Sequence, residues 1–385
     1  MAPRHRPWIE GSFLVCISAV SSTGNRWTWF FNHESATKSN RQCIEELQAV
    51  IDQHDRLIAH NLKFDLQWLW HIGIDTSKKL LWCTLVAEYV LRCQQKLQGL
   101  SLEALSEYYG IPPKKDKVKV YWDAGVDTDE IPSRTLQVYC EQDCYNALAI
   151  CSKQLPQANK RQVIPLLSIE MESTAIFSDM EMNGMYINVE YAEQLDQDTS
   201  VEIEQYEAGL MELLGIDAIT PQKLSAGLYG GEIKYDYDEI VRDAEGNPVL
   251  YKTGGRAGTT KTRKSVGTRH IRGLGFDPKR FGIPEMAVPG VYSTSKAFLP
   301  MLKSSNAEQR RALTLIDEHS KLSKLRDGYY ASLPRLSIDG TVHPNLNQTL
   351  TKTGRMSCAK PNLQNVPRGN TGPVKKLFIS RYSGG

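Results

Sequence analysis

Thr349–Pro367 reads TLTKTGRMSCAKPNLQNVP, the most specific stretch of the 385-residue chain. Arg355, Asn362, Gln364 and Asn365 set three uncharged amides around one cation, in a segment pinned by Pro361 and Pro367. The minor-groove edge of a base pair offers purine N3 and pyrimidine O2 acceptors that are similar for every correct pair. An arginine and amide donors can therefore test pair geometry there without reading sequence. Arg368, just beyond, is a candidate phosphate contact. The plain alternative is a polar loop held by its prolines.

Upstream, Asn306 is placed to cap a long helix in which Leu315, Leu322, Leu325, Tyr329 and Leu333 recur at spacings of three, four and seven. Its other faces carry Lys321, Lys324 and Arg326, candidate duplex-backbone contacts whose ordinary role would be a solvated helix face. Thr220-Pro221 predicts another helix start, with a capping hydroxyl followed by proline at the first helical position. Ser293 or Thr294 is expected to open a third. Between them, residues 251–273 (YKTGGRAGTTKTRKSVGTRHIRG) hold seven lysines and arginines and no acid. Such a Gly/Thr-spaced stretch predicts a mobile loop near phosphate, or simply a solvated loop.

The first 155 residues have another grammar. Residues 13–20 and 27–31 predict two strands around a turn, residues 41–52 a helix and residues 56–59 a short apolar strand. Strands and helices then alternate, the pattern of an α/β domain. The strand at 56–59 runs into HNLKFD (His60–Asp65), which projects Asp65 from the start of the next helix. A later helical stretch carries Tyr139-Cys140-Glu141-Gln142-Asp143, and residues four apart share one helix face. Phosphodiester hydrolysis by two metal ions needs carboxylates converging from different elements and a group to orient water. Asp65 and Asp143 suit the ligand role and Tyr139 the water-orienting one. Singly, each motif also reads as ordinary structure, a capped helix start and a surface Asp below a core Tyr. Residues 163–188 continue helical up to a stop at Gly184.

Composition sets the outer limits. Hydrophobic residues make up 41% and charged residues 23%, enough for two or three globular cores, with net charge +2. No run of about 18 apolar residues exists, which argues against a membrane span. The basic, proline-containing start lacks the apolar middle of a signal peptide. The eight cysteines form no CxxC ladder and predict reduced thiols and a cytoplasmic setting. Cys140, Cys144 and Cys151 cluster, but zinc would need a fourth ligand at suitable spacing.

The order of these motifs resembles family A (Pol I-like) DNA polymerases, of a phage or viral type. Asn61 and Asp65 match the family's second 3′→5′ exonuclease motif, and Tyr139 and Asp143 its third. Thr349–Pro367 resembles the TGR-x-S…PNLQN-x-P signature at the palm entrance, and residues 220–230, 292–302 and the helix from Ala307 resemble the thumb. The resemblance implies an α/β ribonuclease H-like exonuclease domain, then a mainly helical thumb, then the first strands of a polymerase palm (α+β). The expected divisions are 1–155 exonuclease, 156–190 linker, 191–340 thumb with a basic insertion at about 231–290, and 341–385 the start of the palm. It also implies Mg²⁺ or Mn²⁺ in a two-metal arrangement held by Asp65 and Asp143. The implied partners are a DNA primer–template and a single-stranded 3′ end, with Asn61, Arg355, Asn362, Gln364, Asn365, Arg368, Lys321, Lys324 and Arg326 touching nucleic acid.

Two departures qualify this. The family's first exonuclease motif, Asp-x-Glu, is expected shortly before residue 13, where Glu10 is the sole acid. Residues 374–382 (VKKLFISRY) resemble the strand leading into the first palm carboxylate, which is not reached. The expectation is a truncated or split polymerase, nuclease-impaired and not polymerase-active alone, with room for a second polypeptide carrying palm and fingers. The competing expectations are a stand-alone 3′→5′ exonuclease, against which the Thr349–Pro367 stretch counts, and a non-catalytic DNA-binding module.

Overall fold

β-Branched and aromatic residues at Cys16–Val20 and Arg26–Phe30 form strands β1 and β2. They pair antiparallel, with Cys16 opposite Phe30 and Val20 opposite Arg26. The computed structural model describes residues 6–95, 99–112, 117–367 and 373–382. Helix α1 (Asn40–Asp52) starts with a reciprocal capping box between Ser39 and Gln42 and buries Cys43, Leu47 and Ile51. Strand β3 (Arg56–Ala59) crosses over through helix α2 (Leu62–His71) to β4 (Leu80–Cys83), its parallel neighbour. Helices α3 (Thr84–Leu91), α4 (Leu102–Tyr108) and α5 (Lys117–Asp123) follow. The long α6 (Ser133–Lys160) packs across β1, β2 and β3 and against α3, so one helix backs both strand pairs.

Helix α7 (Ile164–Asn183) lies against α2, α3 and β4 and contributes Leu167 and Met171 to the core. It stops at Gly184, whose φ is +60°. A Cβ there would stand 2.6 Å from Thr341 Cγ2 and 2.7 Å from the Val342 carbonyl oxygen, so only glycine fits this close approach. Strand β5 (Met185–Tyr186) follows immediately.

The chain then builds a second compact unit, residues 189–334, before returning to the first. In that unit α8 (Val189–Leu214), α9 (Pro221–Tyr229) and α10 (Ala307–Leu325) enclose Leu210, Leu214, Leu228, Phe276, Ala312 and Ile316. Thr220 and Asn306 cap α9 and α10 with their side-chain oxygens, as the sequence predicts. A π-turn, Arg326–Tyr330, continues α10.

The basic stretch differs from the expected loop. Strands β6 (Gly231–Ile240) and β7 (Thr262–Ile271) form an antiparallel ribbon of ten paired positions. Two of its basic residues face acids supplied by β6. Arg263 meets Glu239 at 2.9 Å and Lys264 meets Asp238 at 3.1 Å. Opposite charges directly across a ladder favour pairing. The partner strand lies outside the window in which the charge excess was counted, which is why composition suggested a loop. The helix expected from Ser293 is also replaced by a single 3-10 turn, Leu299–Met301. Pro300 sits inside that turn and has no N–H with which to continue a helix.

The short helix α11 (Ser332–Leu336) leads back to the first unit. There β8 (Ser337–Ile338) and β9 (Thr341–Val342) join β5 in a three-stranded sheet ordered β5-β9-β8. Strands β10 (Asn345–Asn347) and β11 (Ser357–Ala359) form a hairpin. Residues 373–377 form a 3-10 turn rather than the expected strand. Phe378 is bridged to Ile187, the Ile379 N–H donates to the Tyr186 carbonyl and the Leu377 carbonyl accepts from the Asn188 N–H.

Candidate nuclease site and primer–template loop

Asn61 adopts the left-handed conformation (φ +60°) between β3 and α2. Asparagine tolerates this backbone better than most residues, and it turns a strand into a helix within one position. Asp65 then falls in the first turn of α2, where the helix dipole favours a negative charge. Asp143 projects from α6. The two carboxyls feel one another. Burial first, and then the charge of Asp143, push the Asp65 carboxyl up to about 7, although part of the residue stays accessible. Tyr139 lies one helical turn before Asp143, so the two share a face of α6. Its ring meets Trp122 of α5 edge-on, with centroids 6.0 Å apart, and packs beside Val15, Val118 and Leu136.

Sequence reasoning passed over the residues that hold this arrangement. Lys63, between Asn61 and Asp65, is buried, and its Nζ lies 2.5 Å from Glu181 Oε1 on α7. It also donates to the Leu346 carbonyl at 2.6 Å and to Asn345 Oδ1 at 3.2 Å. Glu181 accepts in turn from the Leu346 N–H at 2.6 Å and from Gln67 Nε2 at 2.7 Å. His60 binds Thr84 Oγ1 at 2.9 Å, and burial pushes its pKa down to about 4. Glu141, buried on α6, accepts from Gln137 at 2.7 Å and lies 3.4 Å from Arg26. A charged residue inside an apolar helical segment was the available signal for Lys63 and Glu181. Their partners, at 283 and 165 positions' separation from Leu346, were not readable.

The β10–β11 hairpin presents the segment that opened the sequence reading. The Thr351 hydroxyl donates to the Arg355 carbonyl at 2.6 Å, and Gly354 supplies a φ of +71°. The Tyr89 hydroxyl of α3 donates to the Thr351 carbonyl, and Gln348 ties the hairpin to Glu170 and Thr174 of α7. Arg355, Asn362, Gln364 and Asn365 are exposed, the last two on the 3-10 turn Leu363–Asn365. Arg368 lies outside the described residues. In the second unit Lys324 is exposed, whereas Lys321 is held by Asp317 at 2.7 Å and Glu318 at 3.1 Å. Arg326 lies 2.8 Å from Asp196. The structure thus places Asp65 and Asp143 within electrostatic reach of one another and gives two of the three candidate duplex-backbone cations, Lys321 and Arg326, acidic neighbours.

Two family models match the chain: 3′-5′ exonuclease over residues 14–157 and DNA polymerase family A over residues 276–384. The first spans β1 to α6 and the second includes α10 and the β10–β11 hairpin. Both matched regions are similar to those of DNA polymerase family A. Among its relatives, DNA polymerase I of Synechocystis sp. is 28% identical over 323 residues, covering 80% of this chain and 27% of that protein. The DNA polymerase of Bacillus phage SP01 is 24% identical over 383 residues, covering 92% and 40%. A thermostable DNA polymerase I of Thermus thermophilus reaches 40% identity over 80 residues, 20% of this chain and 9% of that protein. The chain therefore spans about a quarter to two fifths of the first of these curated relatives. Its fold is that of the POL domain of Pol1 from M. smegmatis, solved in complex with DNA primer-template and dNTP. The TM-score is 0.64 at 17% identity, covering 94% of this chain and 51% of that one. The β6–β7 ribbon falls between the two matched regions.

Exonuclease and polymerase domains of family A are generally metal-dependent. Asp65 and Asp143 fit part of such a site, since two carboxyls that disfavour each other's ionisation are relieved by a shared cation. Among the described residues no group of three or more His, Cys, Asp and Glu is arranged to hold a metal ion. Among the same residues no helix is long and apolar enough to cross a membrane.

Proposed function

We propose that this chain supplies the 3′→5′ exonuclease and primer–template-holding parts of a family A DNA polymerase acting in DNA replication. The observation that carries the reading is the placement of Asp65 in the first turn of α2 within electrostatic reach of Asp143 on α6, where burial first and the Asp143 charge after it raise the Asp65 pKa. In this reading the two carboxylates hold Mg²⁺ or Mn²⁺, and the Tyr139 phenol orients the attacking water. Hard divalent cations prefer such oxygen ligands. When bound, the cation lowers the pKa of a ligated water and stabilises the departing oxygen. Asn61 steadies the single-stranded 3′ end. Arg355, Asn362, Gln364 and Asn365 meet the minor groove of the primer–template, Arg368 and Lys324 contact phosphates, and Lys321 and Arg326 join them by exchanging their acidic neighbours for the duplex backbone.

The test measures Mn²⁺ binding and trimming of a 3′-labelled mismatched primer, with the chain and with Asp143→Ala. Mn²⁺ binding weakened at least tenfold by the substitution, with loss of whatever trimming the chain shows, supports the reading. Mn²⁺ binding untouched by the substitution removes it.

The exposed Arg355, Asn362, Gln364 and Asn365 also suit a second reading, a module that holds DNA without cutting it. Salt-dependent duplex binding with no Mn²⁺-dependent trimming, in the wild-type chain, selects that alternative.

A further inference from the structure

Cys16, the first residue of β1, and Cys140, on α6, lie with their sulfurs 3.6 Å apart. Both are free thiols and both are partly accessible, unlike the fully buried Cys43, Cys83 and Cys151. They are 124 positions apart in sequence, so their meeting is a product of the fold. The surrounding contacts hold the two elements in register. Cys144, one turn further along α6, donates to the Ser18 carbonyl of β1 at 3.2 Å. Cys16 also packs in the cluster of Val15, Val118, Ile131 and Leu136 that carries Tyr139.

We propose that Cys16 and Cys140 form a redox-closable pair, oxidised by a small-molecule disulfide such as glutathione disulfide to a bond linking β1 to α6. Attack of the Cys16 thiolate on the glutathione disulfide breaks its S–S bond, forms a mixed disulfide on Cys16 and releases one glutathione thiolate. Attack of the Cys140 thiolate on the Cys16 sulfur then forms the protein disulfide and expels the second glutathione thiolate. Two protein thiols are oxidised, one glutathione disulfide is reduced to two glutathione molecules, and the two protons pass to the glutathione thiolates. The hydrogen bond from Cys140 lowers the Cys16 pKa and so supports Cys16 as the attacking sulfur.

A sulfur pair must approach from 3.6 Å to about 2.05 Å to bond, a movement that side-chain rotation and a small shift of α6 supply together. Cys140 lies directly after Tyr139 and one turn before Asp143, so closure restrains the helical turn bearing both. The cross-link itself is independent of any role in nuclease chemistry.

The experiment incubates the full reduced chain in glutathione buffers of increasing oxidation, quenches with an alkylating agent and maps peptides without reduction. The expected result is a Cys16–Cys140 linked peptide, under conditions where exposed Cys93 carries only glutathione. Cys16→Ser and Cys140→Ser each abolish it, while Cys144→Ser retains it. Should either serine variant fail to fold, the wild-type peptide map decides alone. The proposal is overturned if the two residues remain alkylated thiols, if Cys16 stops at the glutathione adduct, or if Cys140 links to Cys144 instead.

Discussion

Lys63 and Glu181 form a buried ion pair at 2.5 Å, with the Glu181 side chain 1% exposed, joining the helix that carries Asp65 to the helix that precedes β5. Burial lowers the Lys63 pKa and the Glu181 charge works against that, so the Lys63 charge depends on its partner. Removing one partner of a buried pair leaves an uncompensated charge and costs about 3–5 kcal/mol. Glu181→Gln is expected to destabilise the chain by an amount in that range in chemical denaturation. Lys63→Met with Glu181→Met should recover a large part, because apolar replacement of both partners removes the stranded charge. A double variant no more stable than Glu181→Gln would show that the pair is not the source of the loss.

Asp65 lends itself to a stability test in the absence of divalent cations. Its folded pKa of about 7 lies above the ordinary 3.8, so the folded state binds the extra proton between those limits. Stability then falls as pH rises from about 4 to 7 and stays low above. Asp65→Asn should stabilise the metal-free protein at pH 8 by roughly 1–3 kcal/mol, discounted for the accessible part of the residue. The gain should shrink on adding Mn²⁺, which stabilises the wild type alone. Thermal unfolding of both proteins with and without Mn²⁺ checks this; a destabilised Asn variant at pH 8 would contradict it.

His60 gives the opposite slope. Its folded pKa of about 4 lies below the ordinary 6.5, so its contribution is full above pH 6.5 and is lost as pH falls toward 4. Between pH 7 and pH 5 the loss is about 2 kcal/mol for this one group. His60→Gln should show a smaller drop in melting temperature across that interval than the wild type. Parallel drops would mean that His60 ionises freely in the folded chain.

Arg355 can be assigned to bases or to phosphates by salt titration. A base-edge contact contributes about 1–3 kcal/mol without changing the salt slope, whereas a phosphate contact changes it by about 0.9. Arg355→Ala is expected to weaken primer–template binding by roughly tenfold or more with the slope unchanged. Loss of one unit of slope would reassign the residue to the backbone.

The sequence was most legible where local signals suffice. Thr220 and Asn306 announced helix starts because capping is decided within four residues. Asp65 and Asp143 were legible as a pair because each sits in a recognisable local motif, but their electrostatic coupling needs the fold. The β6–β7 ribbon was missed because Arg263 and Lys264 are neutralised by Glu239 and Asp238, which lie more than twenty positions away. Arg326 looked like a free cation for the same reason, since Asp196 comes from a different helix, whereas Asp317 and Glu318 beside Lys321 lie within one helical turn and were legible. The tie from Lys63 to Leu346 spans 283 positions and leaves no local trace at all.

That span has a consequence for synthesis on the ribosome. The first unit is discontinuous, residues 1–188 and 335–385, with the second unit inserted between them. At about 5–20 residues per second, Lys63 emerges roughly 15–60 seconds before Leu346 exists to receive it. For that interval the nascent first unit carries Glu181 without one of its donors, Tyr89 without the Thr351 carbonyl and β5 without β9. The inserted unit, being continuous, can finish folding first. A ribosome stalled between residues 190 and 340 therefore holds an unfinished first unit, and chaperone engagement of such stalled chains should end once β9 and β10 clear the exit tunnel.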